Sequence, residues 1–158
     1  GKVDGFVCSS GTGGTIGGVS RYLKEKNKDI KVYLSDPTGS ALYNYIKNGE
    51  LKSEGESITE GIGSSRVTKN FATAKIDGAF SISDKESLPI IFDLIQNEGL
   101  SLGTSSGVNI AGAIRLGKEL GPGKTIITIL CDKSDRYNSK LFNKSFLQEK
   151  GLPYPNWL

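Results

Sequence analysis

"CSSGTGGTIGG", residues 8–18, follows directly on the apolar run "VDGFV" and carries five glycines in eleven residues. Glycine loses more conformational freedom on folding than any other residue. It accumulates where the backbone must take a positive φ or approach another group closely. After the loop, Ile16, Val19 and Leu23 recur with Tyr22 at helical spacing, up to the charged "KEKNKD". The loop therefore joins the carboxyl end of a strand to the amino end of a helix. There, unpaired N–H groups and the positive end of the helix dipole favour an anion. Ser9, Ser10, Thr12 and Thr15 add hydroxyls, and the loop holds no lysine.

The rest of the chain continues the alternation. "KVYLSDP" reads as a strand stopped by Pro37, and "SALYNYIKNGE" as a short helix with Leu42, Tyr45 and Ile46 on one face, ended by Gly49. Residues 51–75 show no sustained period and read as a long, mobile loop of the kind that often serves function. "GAFSI" is a further strand. Ser83 and Glu86 form the pattern of a capping box before a helix carrying Leu88, Ile91, Phe92 and Ile95, in which Pro89 predicts a kink. A helix from about Val108 to Leu120 is closed by "GPG", and "TIITIL" reads as a buried parallel strand. A short helix and an extended end are expected in the tail. Strands alternating with helices predict an α/β fold with a mainly parallel sheet flanked by helices, with residues 1–158 forming one domain or a large piece of one.

Composition excludes several classes. The 20 basic and 17 acidic residues leave a net charge of only +3, with no basic block to hold nucleic acid. No apolar stretch is long enough to span a membrane, and the expectation is a soluble protein of the cytoplasm or the mitochondrion. With no histidine and two cysteines, the chain by itself builds neither a four-ligand zinc site nor an imidazole-dependent hydrolase. No metal site is expected. Cys8 and Cys131 both end apolar runs and read as core thiols.

Phosphate is the natural anion for the glycine loop. A Walker A loop is excluded because its lysine is missing. The dinucleotide fingerprint comes closer: Gly11 and Gly13 fill its first two glycine positions and Asp36 lies where a ribose-binding acid belongs. Its third position falls on Ile16.

The segments "GTGGTIGGVSRYLKEKNKDIKV", "DPTGS", "EGIG", "LGTSSGVNIAGAIRLGKELGPGKTIITILCD" and "RYNSKLF" resemble, in order, the C-terminal half of the cysteine synthase and cystathionine β-synthase family. These are pyridoxal 5'-phosphate (PLP) enzymes of fold type II. The resemblance implies that Gly11, Thr12, Gly13, Gly14 and Thr15 hold the cofactor phosphate. It also implies that Ser105 meets the pyridine nitrogen, with Ser106 the alternative if the pairing slips by one. A neutral hydroxyl there leaves the ring nitrogen largely unprotonated, which suits β-elimination and replacement. "EGIG" corresponds to a segment lining the active-site mouth. One departure is Ser134, in "DKSDRY", where the family commonly has glycine.

No lysine of this chain stands in a motif matching the family's Schiff-base lysine, so no catalytic residue is assigned. The expectation is the C-terminal part of the PLP-binding catalytic domain of a longer, homodimeric enzyme. That enzyme would convert O-acetylserine and sulfide to cysteine and acetate. The alternatives are cystathionine β-synthase-type chemistry on serine and homocysteine, a non-catalytic homologue, and a dinucleotide-binding module.

Overall fold

In a computed structural model, which describes residues 2–158, the alternation takes the form of a four-stranded, wholly parallel sheet of order β3-β2-β1-β4. The strands are β1 (Gly5–Cys8), β2 (Lys31–Pro37), β3 (Gly78–Ile82) and β4 (Ile126–Ile127). The helices are α1 (Gly14–Lys26), α2 (Leu42–Asn48), α3 (Asp84–Glu98), α4 (Thr104–Leu120), α5 (Asn138–Leu141) and α6 (Lys144–Glu149).

Alternation along the strands divides the core. Phe6, Cys8, Val32, Leu34 and Ala79 pack with Ile16 of α1 and Leu42 of α2. Val7, Phe80 and Ile82 pack on the opposite face with Val108, Ala111 and Leu116 of α4. Each fully buried Leu or Ile contributes about 1.5–3 kcal/mol by leaving water. A third cluster joins α3 to α5, α6 and the tail through Leu88, Ile91, Phe92, Leu141 and Leu147.

Several expectations are corrected. "TIITIL" is not a buried strand. It contributes only two ladder residues at the outer position of the sheet, and Ile127 and Leu130 are 43% and 51% exposed. Beyond Ile127 the chain leaves the ladder and is held by side chains: Thr128 Oγ1 donates to Val7 O at 2.6 Å and Asn109 Nδ2 to Ile129 O at 2.8 Å. Cys131 is consequently exposed rather than a core thiol. Cys8 is buried as expected, and desolvation, with Cys131 nearby, pushes its thiol up to about 12.

The capping box does not form. Ser83 is the N-cap, but Glu86 instead grips the Arg115 guanidinium with both carboxylate oxygens, at 2.9 and 2.6 Å. The helix runs on through Pro89 as one element. Tyr22 and Tyr45 turn outward, and Tyr43 packs against the core instead. The long 51–75 segment is pinned by buried Ile58 and Phe71 and by hydrogen bonds that Asp84 accepts from Ser57 Oγ and the Ile58 N–H, at 2.6 and 2.7 Å.

Candidate functional site

At the carboxyl edge of the sheet, the chain leaves β1 through Ser9 and Ser10 into the glycine loop. Gly13 is the N-cap of α1 with φ +83°, a left-handed conformation that L side chains rarely adopt. It carries no side-chain cap, and no acidic residue stands in the first turn, so the opening N–H groups of α1 have no intrahelical acceptor. Thr12, Gly14 and Thr15 are exposed and Gly13 is buried. The loop's outer side is fixed by Thr68 Oγ1 donating to Thr12 O at 2.7 Å and by the Gly63 N–H donating to Ser10 O at 2.9 Å. Ser10 Oγ is buried with no partner, a hydrogen-bonding group left over beside the cradle. These features fit a phosphate: free amides, hydroxyls, a dipole of the right sign and no competing carboxylate.

The second half of the site is the first turn of α4, which begins at Thr104 and not near Val108. Ser105, 4% exposed, lines a cavity of about 420 Å³ with Glu60, Gly61, Cys131, Asp132 and Arg136. Ser106 is fully buried and its Oγ accepts the Cys131 N–H at 3.1 Å, so its hydroxyl already has a structural task. Of the two serines, Ser105 faces the cavity.

Gly61 links the two halves. A Cβ placed on Gly11 would lie 2.5 Å from Gly61 O, so the glycine loop and the "EGIG" segment touch at a position that admits no side chain. That segment is held at its other end by the Glu60–Lys140 ion pair. Opposite, Asp132 Oδ2 accepts from Tyr137 Oη at 2.6 Å, which, with burial, pushes the phenol up to about 12. Ser134 has no positive φ; its side chain bonds Ser101 Oγ and its N–H meets Ser101 O at 3.3 Å. Ser10 was expected to lend its hydroxyl to the loop, but sequence reasoning gave no role to Asn109 or Asp132, whose partners lie far along the chain or in a later turn.

Asp36 does not serve the dinucleotide reading. It is fully buried, and its Oδ2 accepts the Tyr43 N–H of α2 at 2.7 Å. Desolvation raises its carboxyl from 3.8 to about 6. A raised folded-state pKa makes the ionised form costly, so stability should fall as pH rises from about 4 to 6 and stay lowered above that. Asp36→Asn should remove the decline, a gain at pH 7 over pH 4 of up to roughly 3 kcal/mol relative to wild type. Urea unfolding at both pH values checks this; a difference between the two proteins that does not change with pH would refute it.

The chain matches the family described as "Pyridoxal-phosphate dependent enzyme" over residues 1–132. It is 44% identical over 165 aligned residues to cysteine synthase 2 of Schizosaccharomyces pombe, covering 96% of this chain and 42% of that protein. It is 43% identical to a cysteine synthase of Dictyostelium discoideum, covering 94% and 42%. A crystal structure of the O-acetylserine dependent cystathionine beta-synthase from Helicobacter pylori superposes with a TM-score of 0.77 at 36% identity, over 87% of this chain and 43% of that one. The chain thus spans well under half the length of these relatives. With the acid-free glycine loop and the match over residues 1–132, the chain belongs to the pyridoxal-phosphate-dependent enzyme family.

Proposed function

We propose that this chain is the C-terminal part of the catalytic domain of a PLP-dependent β-replacement enzyme of cysteine synthase type, acting on O-acetylserine and sulfide. The observation that carries the reading is the meeting, at one sheet edge, of an uncapped α1 N-terminus and a buried serine facing a cavity, in a chain 44% identical to a cysteine synthase.

When bound, PLP supplies an electron sink for the bonds at the substrate's Cα. The residues here hold and orient it. The N–H groups and hydroxyls from Gly11 to Thr15 take the phosphate, and Ser105 presents its hydroxyl to the pyridine nitrogen. The "EGIG" segment, tied to Ser10 and Lys140, forms one side of the cavity through Glu60, Gly61 and Ile62. The lysine that carries the cofactor and moves the Cα proton belongs to the remainder of the protein, as does the grip on the substrate carboxylate. The whole enzyme is a homodimer acting in the cytoplasm. A second reading, cystathionine β-synthase-type chemistry, is favoured by the superposition on the Helicobacter pylori enzyme, although that enzyme is O-acetylserine dependent and so does not favour serine as the substrate.

The test compares the whole gene product with residues 1–158 alone. The whole protein should show the visible absorption of lysine-bound PLP and form cysteine from O-acetylserine and sulfide; the 158-residue chain should do neither. A lysine-bound PLP band on the short chain that survives dialysis would overturn this division of labour. A whole protein without the band would leave the non-catalytic reading.

A further inference from the structure

We infer that Asn109 is a positioning residue that sets the spacing between the phosphate-holding loop and the wall of the Ser105 cavity; the link to the cofactor rests on the reading above. Asn109 lies one turn after Ser105 on the same face of α4 and is 0% exposed. Its Oδ1 accepts the Ser9 N–H at 2.6 Å, at the root of the glycine loop. Its Nδ2 donates to Ile129 O at 2.8 Å and approaches Cys131 Sγ at 3.5 Å. One planar amide thus spans from the end of β1 to the segment that leaves β4 and lines the cavity. The β1–β4 ladder stops at Phe6–Ile127, and beyond it Thr128 Oγ1 ties the two segments at Val7 O while Asn109 ties them at Ser9 and Ile129.

The chemistry selects asparagine. The site demands an acceptor for the buried Ser9 N–H on one side and a donor for the half-buried Ile129 carbonyl on the other, from a side chain that is itself fully buried. A carboxylate would face Ile129 O with no proton to give, and an apolar residue would strand both backbone groups. Ser106 assists one residue pair away, fixing the Cys131 N–H. A displacement of the loop root carries Gly11 to Thr15 with it, and shifts of about 1 Å in a positioning element cost up to roughly a hundredfold in function.

A control separates positioning from general loosening. Ser35 Oγ donates to Val108 O at 2.6 Å, a buried bond between β2 and the same turn of α4 that touches neither the glycine loop nor residues 129–131. In the full-length, cofactor-free protein, Asn109→Ala should speed amide hydrogen exchange at Ser9–Thr15 and Ile129–Cys131 by about tenfold or more. Ser35→Ala, compared at equal loss of melting temperature, should not. In the holoenzyme, Asn109→Ala should shift the ³¹P resonance of bound PLP and weaken PLP binding about tenfold, with Ser35→Ala again silent. Should Asn109→Ala fail to fold, Asn109→Asp keeps the acceptor for Ser9 and loses the donor, so faster exchange should be confined to residues 129–131. Equal effects from the Asn109 and Ser35 variants, or exchange at the loop unchanged by Asn109→Ala, would overturn the inference. If the wild-type protein binds no PLP, the cofactor reading fails while the exchange pattern still decides the role of Asn109.

Discussion

Gly13→Ala should weaken PLP and inorganic phosphate binding by at least about a hundredfold in the full-length protein. Two costs act together. The residue holds φ +83°, where a Cβ crowds its own backbone by roughly 1–2 kcal/mol. That Cβ would also lie 2.5 Å from the nitrogen and 2.7 Å from the Cα of Phe71, whose ring is buried in the core and cannot retreat. The loop must therefore move, and the amides of Gly14 and Thr15 move with it, away from the ligand. Gly18→Ala is the matching control: it lies inside α1 with nothing beyond its own helical turn within 4 Å of the added methyl, so it should leave binding intact and stabilise the helix by about 1 kcal/mol. PLP titration of both variants decides the matter. Binding by Gly13→Ala within tenfold of wild type would mean that the loop is not the phosphate cradle.

The contrast between Gly13 and Asn109 shows where sequence reasoning succeeds. A strand, a glycine-rich turn and a helix lie within about twenty residues, and their chemistry is local: N–H groups at a helix start exist whatever else the chain does. Ser105 was readable for a different reason, since "TSSG" resembles a family pattern, though its cavity comes from residues 60 to 137 that no local signal brings together. The hydroxyl-rich "TSSG" also hid the helix start, because Ser and Thr at such positions read equally as loop or cap.

Asn109 was illegible because its meaning lies in partners 100 residues before it and 20 after it. Within "GVNIAGA" it looks like an ordinary polar interruption of a helix. The misreading of "TIITIL" has a related cause. Apolarity reports that a run wants cover; it does not say which chain supplies it. In this structure only β1 pairs with β4, and Ile127 and Leu130 stay exposed. Tyr22 and Tyr45 fit a helical stripe by spacing, yet an aromatic with a polar tip is content at the surface.

Ser105→Asp should slow β-replacement by about a hundredfold while leaving PLP bound. Ser105 sits at the second position of α4, where the helix dipole favours a carboxylate and offsets part of the cost of placing one at a buried position beside Asp132. Against the pyridine nitrogen, a carboxylate would form a charge-assisted bond to the protonated ring, where a hydroxyl meets the neutral one. A protonated ring is a deeper electron sink. With PLP bound, such a ring would supply too strong an electron sink for β-replacement, so turnover should fall more than affinity. Ser105→Ala removes one hydrogen bond worth about 0.5–1.5 kcal/mol, so PLP affinity should drop only several-fold with the phosphate loop intact. Ser106 provides the internal check. Its Oγ holds the Cys131 N–H, so Ser106→Ala should lower the melting temperature without changing the absorption spectrum of the bound ring. If changes at Ser105 leave turnover untouched while those at Ser106 abolish it, the pairing is off by one residue. If neither matters, the hydroxyl facing the 420 Å³ cavity beside Arg136 and Asp132 does not meet the ring.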